Sequence, residues 1–390
     1  MSWRHLPAQW LATIYVASVS MLLFFWIGRV LGPAGFGQYN VALTWAAFLG
    51  LLLDAGYKTL IFRHETGGLA AGEMVRRAFG HLGIMLFIGL AACFFLWPAA
   101  GWLPLGVLAY VAANTLANFY SAYLKGHGRF QDEAKWQVGC RSVSALIIVA
   151  LLIMVPSIGG IFFAWAIALL VWLSRKGTWL SGHPPVVSHE WAQYRPVLAF
   201  LIIDVSTTIY FRIDVILLDR LDVAAAEIGQ YSLAYKVLEG IALLMTPVAQ
   251  IFFREMRLSW LSGQRLTNQV VLFLGASALL AGLLTLVTFL FGEGVVVSLL
   301  GESYRGMGQV LPWLMLSLCF VLPNAFLTQL ALATEREWFY AGAAMLAAGV
   351  NIALNMMLIP GHGIFGATWA TIVTEGVLML ALLLVMKKRR

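Results

Sequence analysis

Residues 36–43 read Phe-Gly-Gln-Tyr-Asn-Val-Ala-Leu, and residues 228–235 read Ile-Gly-Gln-Tyr-Ser-Leu-Ala-Tyr. The two phrases stand 192 residues apart in a chain of 390. A second echo sets Val155-Pro156-Ser157-Ile158-Gly159-Gly160-Ile161-Phe162 against Ile359-Pro360-Gly361-His362-Gly363-Ile364-Phe365, and Trp165-Ala166 and Trp369-Ala370 follow. The offset there is 203 or 204, so a short insertion separates the two echoes. The chain reads as a duplication, with halves at 1–190 and 191–390. The phrase itself reads as a structural turn.

Composition says where the halves reside. Hydrophobic residues make up 61% and charged residues 11%, and the mean hydropathy is +0.85. Soluble domains carry about 25% charge, so this chain has no aqueous surface to offer. A spanning helix needs about 20 apolar residues. Twelve such runs are legible, at about 8–31, 38–62, 78–98, 102–124, 137–155, 158–174, 195–219, 228–253, 268–291, 307–333, 337–359 and 363–386. They are continuous and too long for the alternating strands of about 10 residues in a transmembrane barrel. The expected fold is an all-α polytopic membrane protein of twelve helices. Six helices per half is an even number, so the lobes insert with one orientation, as parallel repeats. Like halves in a membrane protein point to a transporter.

The net charge of +7 is a matter of topology, not of nucleic acid. With the N-terminus inside, 19 of the 25 Lys and Arg fall on the cytoplasmic side, including the tail Lys387-Lys388-Arg389-Arg390. Arg141 counts among them. This is the positive-inside pattern, and it places both termini in the cytoplasm. The tail suits anionic membrane lipids. Met1–Gln9 holds no small-residue cleavage site, so the first apolar run reads as a span. The stretch 175–194, with Gly182-His183-Pro184-Pro185, reads as the linker between halves. The other long polar stretches are 63–77, 125–136 and 254–267, and none can hold a soluble catalytic domain.

Several chemistries find no support. Cys93, Cys140 and Cys319 fall inside spans and read as core residues. The histidines show no metal spacing, and Gly-rich turns lack the Lys-Ser/Thr of a phosphate loop. No catalytic residue, metal or cofactor is expected, and ATP drive is excluded by the same absence. Pro247, Pro312 and Pro323 fall within spans as packing kinks.

Charges inside the spans cost about 2.5–3.5 kcal/mol each on insertion scales, so each needs a partner or water. The second span carries Asp54 and Lys58 at i,i+4, either an anchoring pair or part of an ion route. The seventh carries Asp204, Arg212 and Asp214. Arg212 and Asp214 point about 200° apart on a helix, so at least one looks toward a cavity or another helix. The eighth carries Lys236 and Glu239 at i,i+3. Arg212, Lys236 and Arg29 could form a cationic lining in the outer half; Asp214 and Glu239 could instead neutralise them. Glu375, in the twelfth, has no basic residue at helical spacing; it is protonated, bonded to a hydroxyl such as Thr371 or Thr374, or part of an ion route, and so a candidate for ion coupling or structure.

At these phrases a resemblance appears. Gly28-Arg29-Val30-Leu31-Gly32-Pro33-Ala34-Gly35-Phe36-Gly37-Gln38-Tyr39, then Asp54-Ala55-Gly56 and Arg63, resembles the opening of the bacterial polysaccharide-transporter family, the O-antigen and capsule flippases. Asp214-Val215-Ile216-Leu217-Leu218 with Gly229-Gln230-Tyr231-Ser232-Leu233-Ala234 resembles its seventh and eighth helices. Asn351-Ile352-Ala353-Leu354-Asn355-Met356-Met357-Leu358-Ile359-Pro360, then Gly363 and Gly366-Ala367-Thr368-Trp369-Ala370-Thr371, resembles its last two. The resemblance implies two six-helix lobes around a cavity open alternately to each side. It implies passage of an undecaprenyl-diphosphate-linked oligosaccharide across the inner membrane, driven by an H+ or Na+ gradient, alongside polysaccharide polymerase machinery. The chain has no room for the two extra helices of lipid II flippases. A multidrug/cation antiporter on the same fold is the alternative. A membrane glycan polymerase is a third reading, disfavoured by short outer loops.

Overall fold

The computed structural model describes residues 6–67, 72–96, 101–177, 179, 182–183, 195–262, 267–334 and 336–387. No strand occurs among them. The helices are α1 (Leu6–Asp54), α2 (Tyr57–Gly67), α3 (Glu73–Leu96), α4 (Leu103–Gly126), α5 (Phe130–Met154), α6 (Ile158–Ser174), α7 (Arg195–Arg220), α8 (Ala225–Leu261), α9 (Thr267–Leu300), a 3-10 turn (Glu302–Tyr304), α10 (Arg305–Ala333) and α11 (Glu337–Lys387). Two of these are folded spans. α1 turns at Gly32, with φ 68° and ψ 175°, and α11 turns at Gly363, with φ 53° and ψ −131°. Glycine adopts such angles without a Cβ penalty. Pro33 then opens the second limb of α1, where its missing N–H is no loss. Among the described residues, each of the twelve expected spans is mainly helical.

Among the described residues, six helices are long and apolar enough to cross a membrane, including Trp10–Asp54, Val270–Leu300 and Phe339–Leu384. The chain is a multi-pass membrane protein. Helices overrun the expected bounds. α5 begins at Phe130, α8 continues to Leu261 and α9 to Leu300, so the expected loops at 125–136 and 254–267 are partly helix. The bilayer fixes the apolar length, not the point where a helix must stop. Gln131, Glu133, Ala134 and Lys135 are all good helix formers. The expected linker lies, from residue 184 on, outside the described residues, as do the terminal Lys388, Arg389 and Arg390 and the side chains of Arg63 and Pro247.

The second span is not continuous, contrary to expectation. It breaks at Ala55 and Gly56, with φ of 44° and 82°. Asp54 and Lys58 therefore do not share a helical face. The Asp54 carboxylate instead accepts the backbone N–H of Lys58 at 2.9 Å, covering a free donor in the first turn of α2. The Lys58 side chain is exposed.

The chain divides into two compact units: Met1–Trp26 with Ala42–Val205, and Ile27–Val41 with Ser206–Arg390. In the first, α4 and α6 bury Phe119, Leu124, Phe162 and Ala168 at 0–1% exposure. Ser157 caps α6, its hydroxyl accepting the N–H of Gly160 at 3.3 Å. In the second unit α10 is central. The apolar window in Glu302–Ala333 is 67% buried, against 22% in Val270–Leu300, so α9 turns most of its surface outward. Phe252, Phe273 and Phe326 pack with ring centroids 4.9, 5.2 and 5.4 Å apart. Lipid is as apolar as these rings, so close packing holds such helices together, with little help from the hydrophobic effect.

The repeated phrase is not a turn. The turns lie just before it, at Gly32 and at Leu221–Asp222, and both copies sit inside helices. In the second unit the two copies meet. A Cβ on Gly37 would lie 1.9 Å from the Ala225 carbonyl oxygen, and one on Gly229 would lie 1.9 Å from the Pro33 carbonyl oxygen. Each glycine thus meets the carbonyl four residues before its counterpart. Small residues at this spacing let helix backbones touch. Tyr304 adds a tie, its hydroxyl donating to the Gly28 carbonyl at 2.6 Å.

Candidate functional site

The second unit holds a cavity of about 610 Å³, within the range of 300–1,000 Å³ typical of ligand sites. α7, α8, α10 and α11 line it. The wall is mostly apolar, from Phe211, Leu238, Leu243, Met245, Val321, Ala344 and Leu378. Its polar points are Arg212, Glu239, Asn324, Thr328, Gln329, Tyr340 and Glu375.

Arg212 and Asp214 part as the helical angle requires. Arg212 faces the cavity, and its guanidinium lies 3.7 Å from Glu239. Asp214 is buried elsewhere, accepting the N–H of Val215 at 2.8 Å and the hydroxyl of Tyr231. Tyr231 is the tyrosine of the second Gly-Gln-Tyr copy. Lys236, 8% exposed, donates to Glu239 at 2.6 Å. One carboxylate therefore bridges two cations, and this trio keeps one net positive charge. Of Arg29, Arg212 and Lys236, only Arg212 lines the cavity, and Glu239 pairs with both Arg212 and Lys236.

Glu375 is buried at 3% and faces the same cavity. The amide of Asn324 donates to its carboxylate at 2.7 Å and to its backbone carbonyl at 2.9 Å. Asn324 follows Pro323 in α10 and was not among the sequence candidates. Its own carbonyl oxygen is buried without a hydrogen-bond partner. Pro323, directly before a polar residue at mid-span, is the signal that could have found it.

Of the other candidates, Arg29 is exposed on α1 and does not line the cavity. Asp204 lies in α7, its side chain outside those described. Asp54 and Lys58 belong to the first unit and take no part in this cavity. Among the described residues, no three His, Cys, Asp or Glu side chains gather as a metal site.

A mostly greasy chamber with a bridged cation pair and a separate buried carboxylate suits an amphipathic, charged cargo. Residues 7–253 match the model of the polysaccharide biosynthesis protein family. The chain belongs to that family. No curated protein sequence matches it significantly. Among solved structures, this member of the polysaccharide biosynthesis family is similar to the lipid II flippase MurJ in an inward closed conformation. Identity is 12%, covering 99% of this chain and 88% of that one, with a TM-score of 0.72. A multidrug resistance transporter of the MATE family, inward-facing, is 13% identical over 96% and 92% of the two chains, with a TM-score of 0.64. A MOP superfamily transporter from Pyrococcus furiosus is 13% identical over 98% and 94%, with a TM-score of 0.59. These relatives share the fold, and they are flippases and transporters, not enzymes.

Proposed function

We propose that the protein carries an undecaprenyl-diphosphate-linked oligosaccharide across the inner membrane, from the cytoplasmic to the periplasmic leaflet, by alternating access. The observation that carries this reading is the Arg212–Glu239–Lys236 trio beside an apolar wall. Such a cargo has a diphosphate, which a net positive cluster attracts, and a polyprenyl tail, which an apolar wall tolerates. Family membership supports the polysaccharide setting. In this reading both termini are cytoplasmic, a six-helix half lies on either side of residue 190, and Glu375 is where a coupling H+ or Na+ binds. The polymerase machinery takes over the delivered cargo.

The test is deletion followed by analysis of the lipid-linked sugars. The expected result is loss of surface polysaccharide and a build-up of the lipid-linked unit in the cytoplasmic leaflet, both reversed by the restored gene. The antiporter reading draws on a second observation, the carboxylates Glu239 and Glu375 on the cavity wall. Normal glycan with raised sensitivity to cationic drugs would favour it instead.

A further inference from the structure

The first unit contains a second, smaller cavity of about 80 Å³, lined by α4, α5 and α6 and by Val16 of α1. Two polar stripes face it. Gln137, Arg141 and Ser144 line it from α5 at i, i+4 and i+7, and Asn114 and Asn118 line it from α4 at i and i+4. The remaining wall is apolar and aromatic, and Tyr110 and Trp165 there have a centroid distance of 4.6 Å.

The chemistry of this wall is one-sided. Arg141 lies over the Trp165 ring, its guanidinium carbon 5.4 Å from the centroid. A guanidinium holds its N–H groups in its own plane, where they can grip a planar oxyanion in pairs. No Asp or Glu lines the cavity. Ser144 gives an independent sign. Its hydroxyl is fully buried and has no hydrogen-bond partner in the protein. Two residues earlier Ser142 satisfies its hydroxyl on the Val138 carbonyl at 2.8 Å, as helix serines ordinarily do. A buried donor left open beside a cation and two amides leaves room for a ligand atom.

We infer that this cavity is a binding site for the carboxylate of an acidic sugar, held by Arg141, Asn114, Asn118 and Ser144. The volume fits that choice. At about 80 Å³ it is small beside the 300–1,000 Å³ typical of whole-ligand pockets, so it suits a carboxylate group of a sugar more than an entire lipid-linked unit. The site would read the glycan part of the cargo, apart from the Arg212 cluster. This assignment of cargo rests on the proposed function, whereas the oxyanion chemistry does not. A diphosphate offers similar oxygens, so the two sources need separate arms.

The experiment is calorimetric titration of the purified full-length chain in nanodiscs with sodium glucuronate, glucose and inorganic diphosphate at matched ionic strength. Glucuronate is expected to bind. Its affinity should fall by about ten-fold or more in Arg141→Gln, as the loss of a charge-assisted pair implies. Asn118→Ala should weaken it to a smaller degree, which keeps the test open if Arg141→Gln fails to fold. Glucose binding as tightly as glucuronate overturns the anion site, and so does glucuronate affinity unchanged in both cavity variants. Diphosphate binding that needs Arg141 while glucuronate does not bind overturns the sugar assignment. A deletion strain with normal surface glycan, together with Arg141-dependent glucuronate binding, would sink the flippase reading and leave this site standing.

Discussion

Gly37 and Gly229 lie so close that neither position has room for a Cβ. The Cβ site of each stands 2.9 Å from the backbone nitrogen of the other and 1.9 Å from a carbonyl oxygen of the facing helix. The contact is reciprocal in sequence, since Pro33 and Ala225 are the same distance from their glycines. The two copies of the phrase need glycine here because they touch, and a change at one has to be met by the other helix.

Replacing either glycine by alanine should drive the two helices apart. Overpacking of this kind costs about 1–3 kcal/mol. Gly37→Ala and Gly229→Ala are each expected to lower the thermal unfolding temperature of the purified protein. Gly275→Ala is the control. Gly275 is helical with nothing within 4 Å of its Cβ position, so alanine there should be neutral or stabilising by about 0.5–1 kcal/mol. Equal behaviour of all three would mean that the close approach is not a constraint.

Much of this architecture was legible in the sequence because of two costs. Unpaired backbone cannot sit in lipid, so apolar runs of sufficient length had to be helices. Buried charge is expensive, so Arg212, Lys236, Glu239 and Glu375 stood out, and all four gather at or beside one cavity. What carries no such cost stayed hidden. Asn324 is uncharged and raised no flag, although it holds Glu375. Arg141 was counted with the cytoplasmic-side charges, yet it lies in the fourth turn of α5. Its stripe with Gln137 and Ser144 would have shown a polar face. The break at Ala55 was missed because the apolar pattern runs on through it. The role of the Gly-Gln-Tyr phrase needed the packing itself, since glycine signals a turn and a close contact with the same letter.

The Lys236–Glu239 pair should respond asymmetrically to mutation. Glu239→Gln leaves Lys236, only 8% exposed, without that carboxylate, and breaking a buried pair in this way costs about 3–5 kcal/mol. Lys236→Met leaves Glu239 still within 3.7 Å of Arg212, so the loss should be smaller. The double variant should be more stable than Glu239→Gln alone. Thermal unfolding of the three variants checks this, and a double variant as unstable as the sum of its parts would count against the pairing.

The same trio should decide export. Arg212→Gln and Lys236→Gln are each expected to abolish surface glycan in a complemented deletion strain while the protein still inserts at normal levels. Normal glycan with both variants would remove the cationic cluster from the mechanism.

Orientation can be read with fusion reporters placed where helices end. α9 ends at Leu300, and a reporter there should lie outside. α8 ends at Leu261, so one placed just after it should lie inside. The expectation rests on the Lys and Arg bias, and the segments are short enough for that bias to act. The reverse pattern would place both termini on the outer face.

Glu375 can be separated from its structural setting because Asn324 tolerates the substitution. In Glu375→Gln, the amide oxygen can accept the same Asn324 N–H that the carboxylate now takes at 2.7 Å, so the fold should persist. What disappears is a group able to hold a proton or sodium ion. Transport in proteoliposomes carrying Glu375→Gln should therefore continue down a cargo gradient but stop responding to an imposed pH or sodium gradient. Asn324→Leu is the complementary variant. It removes the donor and leaves the carboxylate buried without that bond, at a cost of about 1–3 kcal/mol, so it should destabilise the protein where Glu375→Gln does not. Gradient dependence unchanged in Glu375→Gln would make Glu375 a packing residue that ties α11 to α10 through Asn324.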